Sequence, residues 1–472
     1  MSPRVFLLLL VCSHAFLALA LGKRSTSIRL KLFRRPASAG STQLERMQEL
    51  FRDDQLRQAI IHDRLGRRLH GRRASEVSPP AQSFMMPLNS GVYTGNAQFF
   101  VQFFLGKPAQ HFVLVADTGS DLTWVKCRLR LPGCRLCNGD GNGTRVFHPE
   151  VSSSFQPIPC SSEMCKTSLP FSLIECPSPT MPCSFDYRYG DGSKAQGVFA
   201  NESATVVLSN GKHTKLRHLV VGCSSDSTGS SFQASDGVLG LGNSNISFAT
   251  IATARFGGRF SYCLVDHLSP RNASDFLVFG HRPAVLSPPL PSETSLVLGL
   301  EPFYAVGVDG ISVDGEMLAI PKDVWDLSAG GGTILDSGTS LTVLAQPAYL
   351  AVASALNRRL AGIPRVKMDP FEYCYNWTTA PTNAAKNLPR MVVHLAESAS
   401  LKPPAKTYVI NTADGVKCLG IVATPWPGVS VIGNILQQEH LWEFDLKNRR
   451  LRFKRSTCGK STSRIAGDNK LN

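Results

Sequence analysis

Charge is scarce in this chain. Only 18% of its 472 residues are Asp, Glu, Lys or Arg, against about a quarter in an average soluble domain. With 43% hydrophobic residues beside that, disorder, coiled coil and collagen are excluded as its bulk architecture. Acidic residues are scarcer than basic ones, 35 against 50, for a formal net charge of +15. That excess invites a nucleic-acid partner, but its placement argues against one. Residues 23–80 hold 14 Lys or Arg and 6 Asp or Glu, a net +8; with Arg4 set aside, residues 81–472 carry only +6. Past the N-terminus no apolar run reaches 18 residues, so no membrane span is expected. The 11 histidines form no metal-ligand spacing. Gly459-Lys460-Ser461 lacks the preceding glycine of a phosphate-binding loop, position 454 being Lys. Helical periodicity is sparse, with Gln346–Leu360 the best candidate in the body of the chain. Glycine (39) and proline (30) are plentiful instead, as in a turn-rich, strand-rich protein.

Residues 1–22 read as a secretory signal: Arg4, then the apolar run Val5–Val11 extended by Ala15–Ala20, with small residues for cleavage near Ala20-Leu21-Gly22. A membrane anchor is the other reading, but Ser13 and His14 break the run. Once Cys12 is removed with the signal, twelve cysteines remain, an even number that fits disulfides in an oxidising compartment. The zinc alternative would use Cys134-x-x-Cys137 with Cys160 and Cys165 and lacks a clean second knuckle. Five sequons, at Asn142, Asn201, Asn245, Asn272 and Asn376, fit glycosylated surface loops.

The arginine-rich segment 23–80 contains a helical stretch from Thr42 to Leu69, in which Leu44, Met47, Leu50, Phe51, Ile60, Ile61 and Leu65 keep partial helical spacing. Arg72-Arg73 and the turn-rich Ser75–Ser83 follow. This is the layout of a removable prosegment; a solvated basic tail is the alternative. From Phe84 onward short strand-like runs dominate, among them Ala97–Leu105, Phe112–Ala116, Thr205–Leu208, Leu219–Val221, Phe276–Phe279 and Phe303–Val308. Residues 281–300, with four prolines, read as a linker.

An internal repeat carries most of the information. Phe112–Ala116 runs into Asp117-Thr118-Gly119-Ser120, and Thr333–Leu335 into Asp336-Ser337-Gly338-Thr339. Each is followed at a distance by two apolar residues and a glycine, Val238-Leu239-Gly240 and Val431-Ile432-Gly433. Two matching Asp turns suggest a two-carboxylate site in which one group acts as base and the other as acid. Gly119 and Gly338 leave room for the turns to approach. The Thr118 and Ser337 hydroxyls can hydrogen-bond across to the opposite turn, while Ser120 and Thr339 can donate to the outer carboxylate oxygens. Two carboxylates alone would also suit a glycosidase, but the repeated strand and turn argue against it.

These residues resemble the pepsin-type aspartic proteases, and more narrowly the plant nepenthesin-like group. Both Asp motifs match, as do Trp124 behind a flap and Tyr189-Gly190-Asp191-Gly192-Ser193 at a flap tip. Longer stretches, such as Cys183–Ser193 and Phe260–His267, are most similar to the NANA-type plant enzymes. Ala116, where pepsin has Phe, and Asp191, where its flap often has Thr, depart from the pattern without touching the carboxylates. The resemblance implies an all-β, bilobal acid-protease fold: signal 1–22, prosegment 23–85, first lobe 86–285 with a cysteine-rich insertion, second lobe 286–472. It implies a monomeric endopeptidase acting on peptides or proteins at acid pH, with a water held between Asp117 and Asp336 and no metal or organic cofactor. Tyr189, Gly190 and Trp124 would contact substrate, and Cys374 would pair with Cys418. A catalytically inactive relative that binds other proteins as an inhibitor is the alternative, although such relatives typically lose part of the catalytic set. The secretory route points outside the cell or to the vacuole, with the plastid as an alternative.

Overall fold

The structure, a computed structural model, describes residues 42–459 with interruptions, the longest at 69–83 and 131–144. The signal, the processing region around Arg73, Cys134, Cys137, Asn142, Asn272 and Gly190 lie outside the described residues.

Two β-rich lobes are each built on the same three-strand unit. In the first, β1 (Gln110–Asp117) leads into the Asp117 turn and β2 (Thr123–Lys126) leads out of it. Strand β3 (Gly237–Gly240) lies between them, parallel to β1 with Gly240 opposite Asp117, and antiparallel to β2 with Val238 opposite Trp124. The second lobe repeats this with β4 (Thr333–Leu335), β5 (Thr342–Ala345) and β6 (Ser430–Ile432). There β6 runs parallel to β4, Ile432 opposite Leu335, and antiparallel to β5, Val431 opposite Val343. Both faces of these strands are covered, so their apolar residues do not alternate with exposed polar ones. Gly240 and Gly433 end the threaded strands because a Cβ at either position would collide with the backbone of the turn beside it. Leu241 then donates its N–H to Asp117 O, and Asn434 to Thr339 O, at 2.8 and 2.7 Å, so each glycine loop lies under its Asp turn.

An eleven-stranded sheet joins the lobes. Arg259–Cys263 pairs with His440–Asp445, and the Phe260 and Phe444 rings stack at 4.7 Å. Phe84–Met86 forms its edge, paired with Phe276–Phe279. The stretch read as a linker is partly strand: Ser292–Val297 pairs with Arg450–Phe453, burying Thr294 and Leu296 on alternate positions. The prolines before it masked that short alternation. Among the described residues no helix is long and apolar enough to cross a membrane.

Five disulfides occur among the described residues: Cys127–Cys223, Cys160–Cys176, Cys165–Cys183, Cys263–Cys458 and Cys374–Cys418. Cys160 and Cys165 are thus committed to bridges, which removes half of the zinc alternative. Cys374 and Cys418 face each other across neighbouring strands and close a 44-residue separation. By the chain-entropy relation, replacing both with Ala should cost about 4 kcal/mol, read as a lowered thermal midpoint of the purified chain. An unchanged midpoint would show that the bridge adds nothing to stability.

The helical stretch of the N-terminal segment is real. Helix α1 spans Gln43–Arg68. Thr42 and Glu45 close its start reciprocally: Glu45 N donates to Thr42 Oγ1, and Thr42 N to Glu45 Oε2. Met47, Leu50, Asp54, Arg57, Gln58 and Ile61 are buried, one face of the helix. Two charged residues stand in the middle of that face.

Candidate active site

Asp117 ends β1, Asp336 directly follows β4, and the two meet at the junction of the two lobes, both essentially without solvent exposure. The turns are tied crosswise. Thr118 N donates to Ser337 Oγ at 3.0 Å, Ser337 N to Thr118 Oγ1 at 2.8 Å, and Ser337 Oγ to Ala116 O at 2.9 Å. Asn434 Nδ2 adds a bond to Ser337 O at 3.1 Å. Gly119 N holds Asp117 Oδ1 at 2.9 Å, and Gly338 N holds Asp336 Oδ1 at 2.8 Å, so these two oxygens face inward as a matched pair. A Cβ on Gly119 would stand 2.7 Å from Asp336 Oδ1, which explains the glycine. On the outer side Thr339 Oγ1 donates to Asp336 Oδ2 at 2.6 Å, and the buried Ser120 hydroxyl helps to hold the Asp117 carboxyl low.

A third charged group occupies the centre. Arg57 Nη2 donates to Asp117 Oδ1 at 2.7 Å and to Asp336 Oδ1 at 2.9 Å, and its Nε donates to Asp336 Oδ2 at 2.6 Å. One turn earlier on α1, Asp54 accepts the N–H groups of Ser340 and Leu341 at 2.8 and 2.6 Å, just beyond the second Asp turn. Burial disfavours a charge on Asp117, but the Arg57 guanidinium and the Gly119 N–H outweigh it and hold that carboxyl below the usual range. Burial pushes Asp336 up, Arg57 opposing and the Asp117 charge adding to the rise. Burial likewise raises Asp54, to about 7, against its two N–H donors. Arg57, desolvated but flanked by both carboxylates, is held firmly charged.

Tyr189 stands at the turn end of a hairpin formed by Ser184–Arg188 and Lys194–Val207, where Tyr189 N donates to Ser193 O at 2.8 Å. Its hydroxyl accepts the Trp124 Nε1 proton at 2.5 Å. Phe232 packs edge-on against both rings, at 4.9 Å from Trp124 and 5.0 Å from Tyr189. Tyr187 donates to Asp121 Oδ1 at 2.6 Å and fixes the strand beneath. Tyr189→Phe removes one buried hydrogen bond, leaves Trp124 Nε1 without its acceptor and should cost about 1 kcal/mol, read as a lowered thermal midpoint of the purified chain; an unchanged midpoint would show that this bond adds nothing to stability.

Sequence reasoning did not single out Arg57, Asp54, Tyr187 or Phe232. For the first two a signal existed: they lie seven and four residues after Leu50, on the stripe that also carries Met47 and Ile61. Charges on the apolar face of a helix need buried partners.

Comparison with known proteins places this geometry. The family models described as xylanase inhibitor N-terminal and C-terminal match residues 99–281 and 303–455. The chain is 32% identical to "Aspartyl protease family protein 2" of Arabidopsis thaliana over 406 residues, covering 84% of this chain and 78% of that protein. It is 30% identical to "Aspartic proteinase nepenthesin-2" of Nepenthes gracilis, over 83% of this chain and 84% of that one. Among solved structures, soybean basic 7S globulin superposes with a TM-score of 0.63 at 19% identity, over 81% of this chain and 99% of that one, a likeness of fold. Paired Asp turns on a repeated strand unit, read with these matches over most of the chain, place it in the plant pepsin-like aspartic protease family.

Proposed function

We propose that this chain is the latent precursor of an aspartic endopeptidase, in which water held between Asp117 and Asp336 hydrolyses peptide bonds and helix α1 keeps the site closed until it is removed. The observation that carries this reading is the position of Arg57 Nη2, within 2.9 Å of both inward carboxylate oxygens. A group that bridges those two atoms stands where an attacking water would be bound.

With α1 gone, the two carboxyls lose their cation. Like charges so close cannot both ionise, so the pair retains one shared proton at acid pH; this is the behaviour known for aspartic proteases generally. The ionised carboxyl takes a proton from water as its oxygen attacks the scissile carbonyl carbon. The protonated one gives its proton to the carbonyl oxygen. The resulting gem-diol collapses as the first carboxyl protonates the leaving nitrogen and the second recovers a proton from a diol hydroxyl, leaving a free carboxyl and a free amine. No bond forms between enzyme and substrate. The crosswise bonds of Thr118 and Ser337 hold the carboxyls in register through these steps. The Tyr189 hairpin covers an extended peptide and excludes bulk water.

A cut within 69–83 would free α1 while leaving the Phe84–Met86 strand paired in the central sheet. Secretion, glycosylation at Asn245 and Asn376, and a monomeric enzyme belong to the same reading. The inhibitor reading is less well supported, because both Asp turns keep their full hydrogen bonding to each other. The test is peptide cleavage by the acid-treated chain with and without pepstatin. Pepstatin-sensitive cleavage at acid pH is expected. An acid-treated chain that loses 42–68 and cleaves nothing would overturn the proposal.

A further inference from the structure

Among its described residues helix α1 touches the protein in two places, and only one of them is the carboxylate pair. Its N-terminal half rests on a four-stranded sheet of the second lobe formed by Arg365–Met368, Phe371–Asn376, Val416–Leu419 and Val409–Ala413. There Gln43 Nε2 donates to Asn411 O at 2.9 Å, and Gln48 Nε2 to Asp369 O at 2.8 Å. The Phe51 ring meets Phe371 edge-on at 5.6 Å. Met47 and Leu50 are buried in one apolar cluster with Phe371 and Ile410. From Gln43 to Arg57 the helix rises about 21 Å. The anchor on the sheet and the charges in the site are therefore separate contacts on one rod.

We propose that this face of the second lobe is a docking surface for an amphipathic helix that persists after activation, and that its occupant is the released 42–68 segment, which returns to the active enzyme in trans. The inference rests on the reading of that segment as a removable leader. Three observations point to this occupant. The face is fitted to it, with a ring against a ring and a side-chain amide on each of two backbone carbonyls. Departure of the helix strips the donors from Asp369 O and Asn411 O and uncovers the apolar cluster, so the vacated face favours rebinding. The segment also carries its own start signal in the Thr42–Glu45 box, and its helix is 26 residues long, enough for partial helicity when free. The anchor needs no ionised carboxylate, so it keeps its hold when the dyad does not.

The test separates this surface from catalysis. The Asp336→Asn chain, freed of its leader by an added protease, cannot consume a peptide and offers Arg57 a weakened partner. A fluorescein-labelled 42–68 peptide is titrated into it and followed by anisotropy. The parent and Arg57→Gln peptides are expected to bind within about tenfold of each other. A Met47→Ala/Leu50→Ala/Phe51→Ala peptide should bind about 100-fold more weakly, about 2.7 kcal/mol over the three anchor contacts together. Amide exchange should slow over 371–376 and 409–413 when the parent peptide is added. A triple variant that binds within about threefold of the parent, or protection confined to 336–341, would overturn the proposal. Because the readout is binding, a chain that never cleaves peptides but binds this one would refute the endopeptidase reading and leave the docking surface standing.

Discussion

Asp117→Asn and Asp336→Asn should each lower peptide turnover at least 10²–10⁴-fold, roughly the contribution of a positioned acid or base, while the chain stays folded. Asn keeps the shape of the carboxylate, and its oxygen can still accept from Gly119 N or Gly338 N, so the crosswise bonds of Thr118 and Ser337 have no reason to break. What it loses is the exchangeable proton. With Asn at 117 the remaining pair cannot take a proton from water at one atom and supply one at the other. Initial rates on a fluorogenic peptide, beside far-ultraviolet circular dichroism and a thermal melt, separate lost chemistry from lost fold. Either variant retaining more than about a tenth of wild-type turnover would mean that the proton transfers run through other groups.

Arg57→Gln should release the leader. Removing one partner of a buried ion pair costs roughly 3–5 kcal/mol, and the abandoned carboxylates can recover part of this by taking up their shared proton. About a 100-fold increase in the open fraction is therefore expected, measured as the rate at which a trace protease cuts within 69–83 near neutral pH. Wild-type protection in Arg57→Gln would show that the site does not hold the helix. In the wild type the pH dependence has two opposing limbs. Asp117 is depressed when docked, so its contribution to docking is full above about pH 4 and is lost as the pH falls through the docked value. Asp54 has the opposite sign. It sits at about 7 when docked against an ordinary 3.8 when free, so its buried charge weakens docking above about pH 7, and the penalty fades as the pH falls. The leader is held best in mildly acid solution and lost in stronger acid. Asp54→Asn, neutral at every pH, should flatten the upper limb and leave the acid limb in place.

The paired turns were legible because their demands are local. A strand buried on both faces, an acid, a small hydroxyl residue and a glycine leave the same trace wherever the unit is repeated, and β1 and β4 carry it openly. Gly240 and Gly433 were legible for the same reason, each lying where a second chain segment crosses too closely for a Cβ. The strand Ser292–Val297 was not, because its pattern is short and its neighbours Pro288, Pro289 and Pro291 speak for a loop. Phe232 escaped because its meeting with Trp124 and Tyr189 depends on contacts far apart in sequence. Arg57 lay among 14 basic residues of the segment 23–80, where only their net charge stood out. The structure replaces that with one side chain, selected by helical phase: Met47, Leu50, Asp54, Arg57 and Ile61 fall on one face, and only Arg57 reaches both carboxylates.

The most direct measurement follows a single purified sample of the full chain as it is shifted from about pH 7.5 to about pH 3.5, with mass spectrometry recording both the loss of residues 42–68 and the cleavage of an added peptide. The expected result is no cleavage before the shift and, after it, new internal peptide termini that appear together with loss of the leader and vanish when pepstatin is present. A chain that sheds its leader and binds pepstatin, yet produces no new peptide termini, would contradict the assignment of Asp117 and Asp336 as a working catalytic pair.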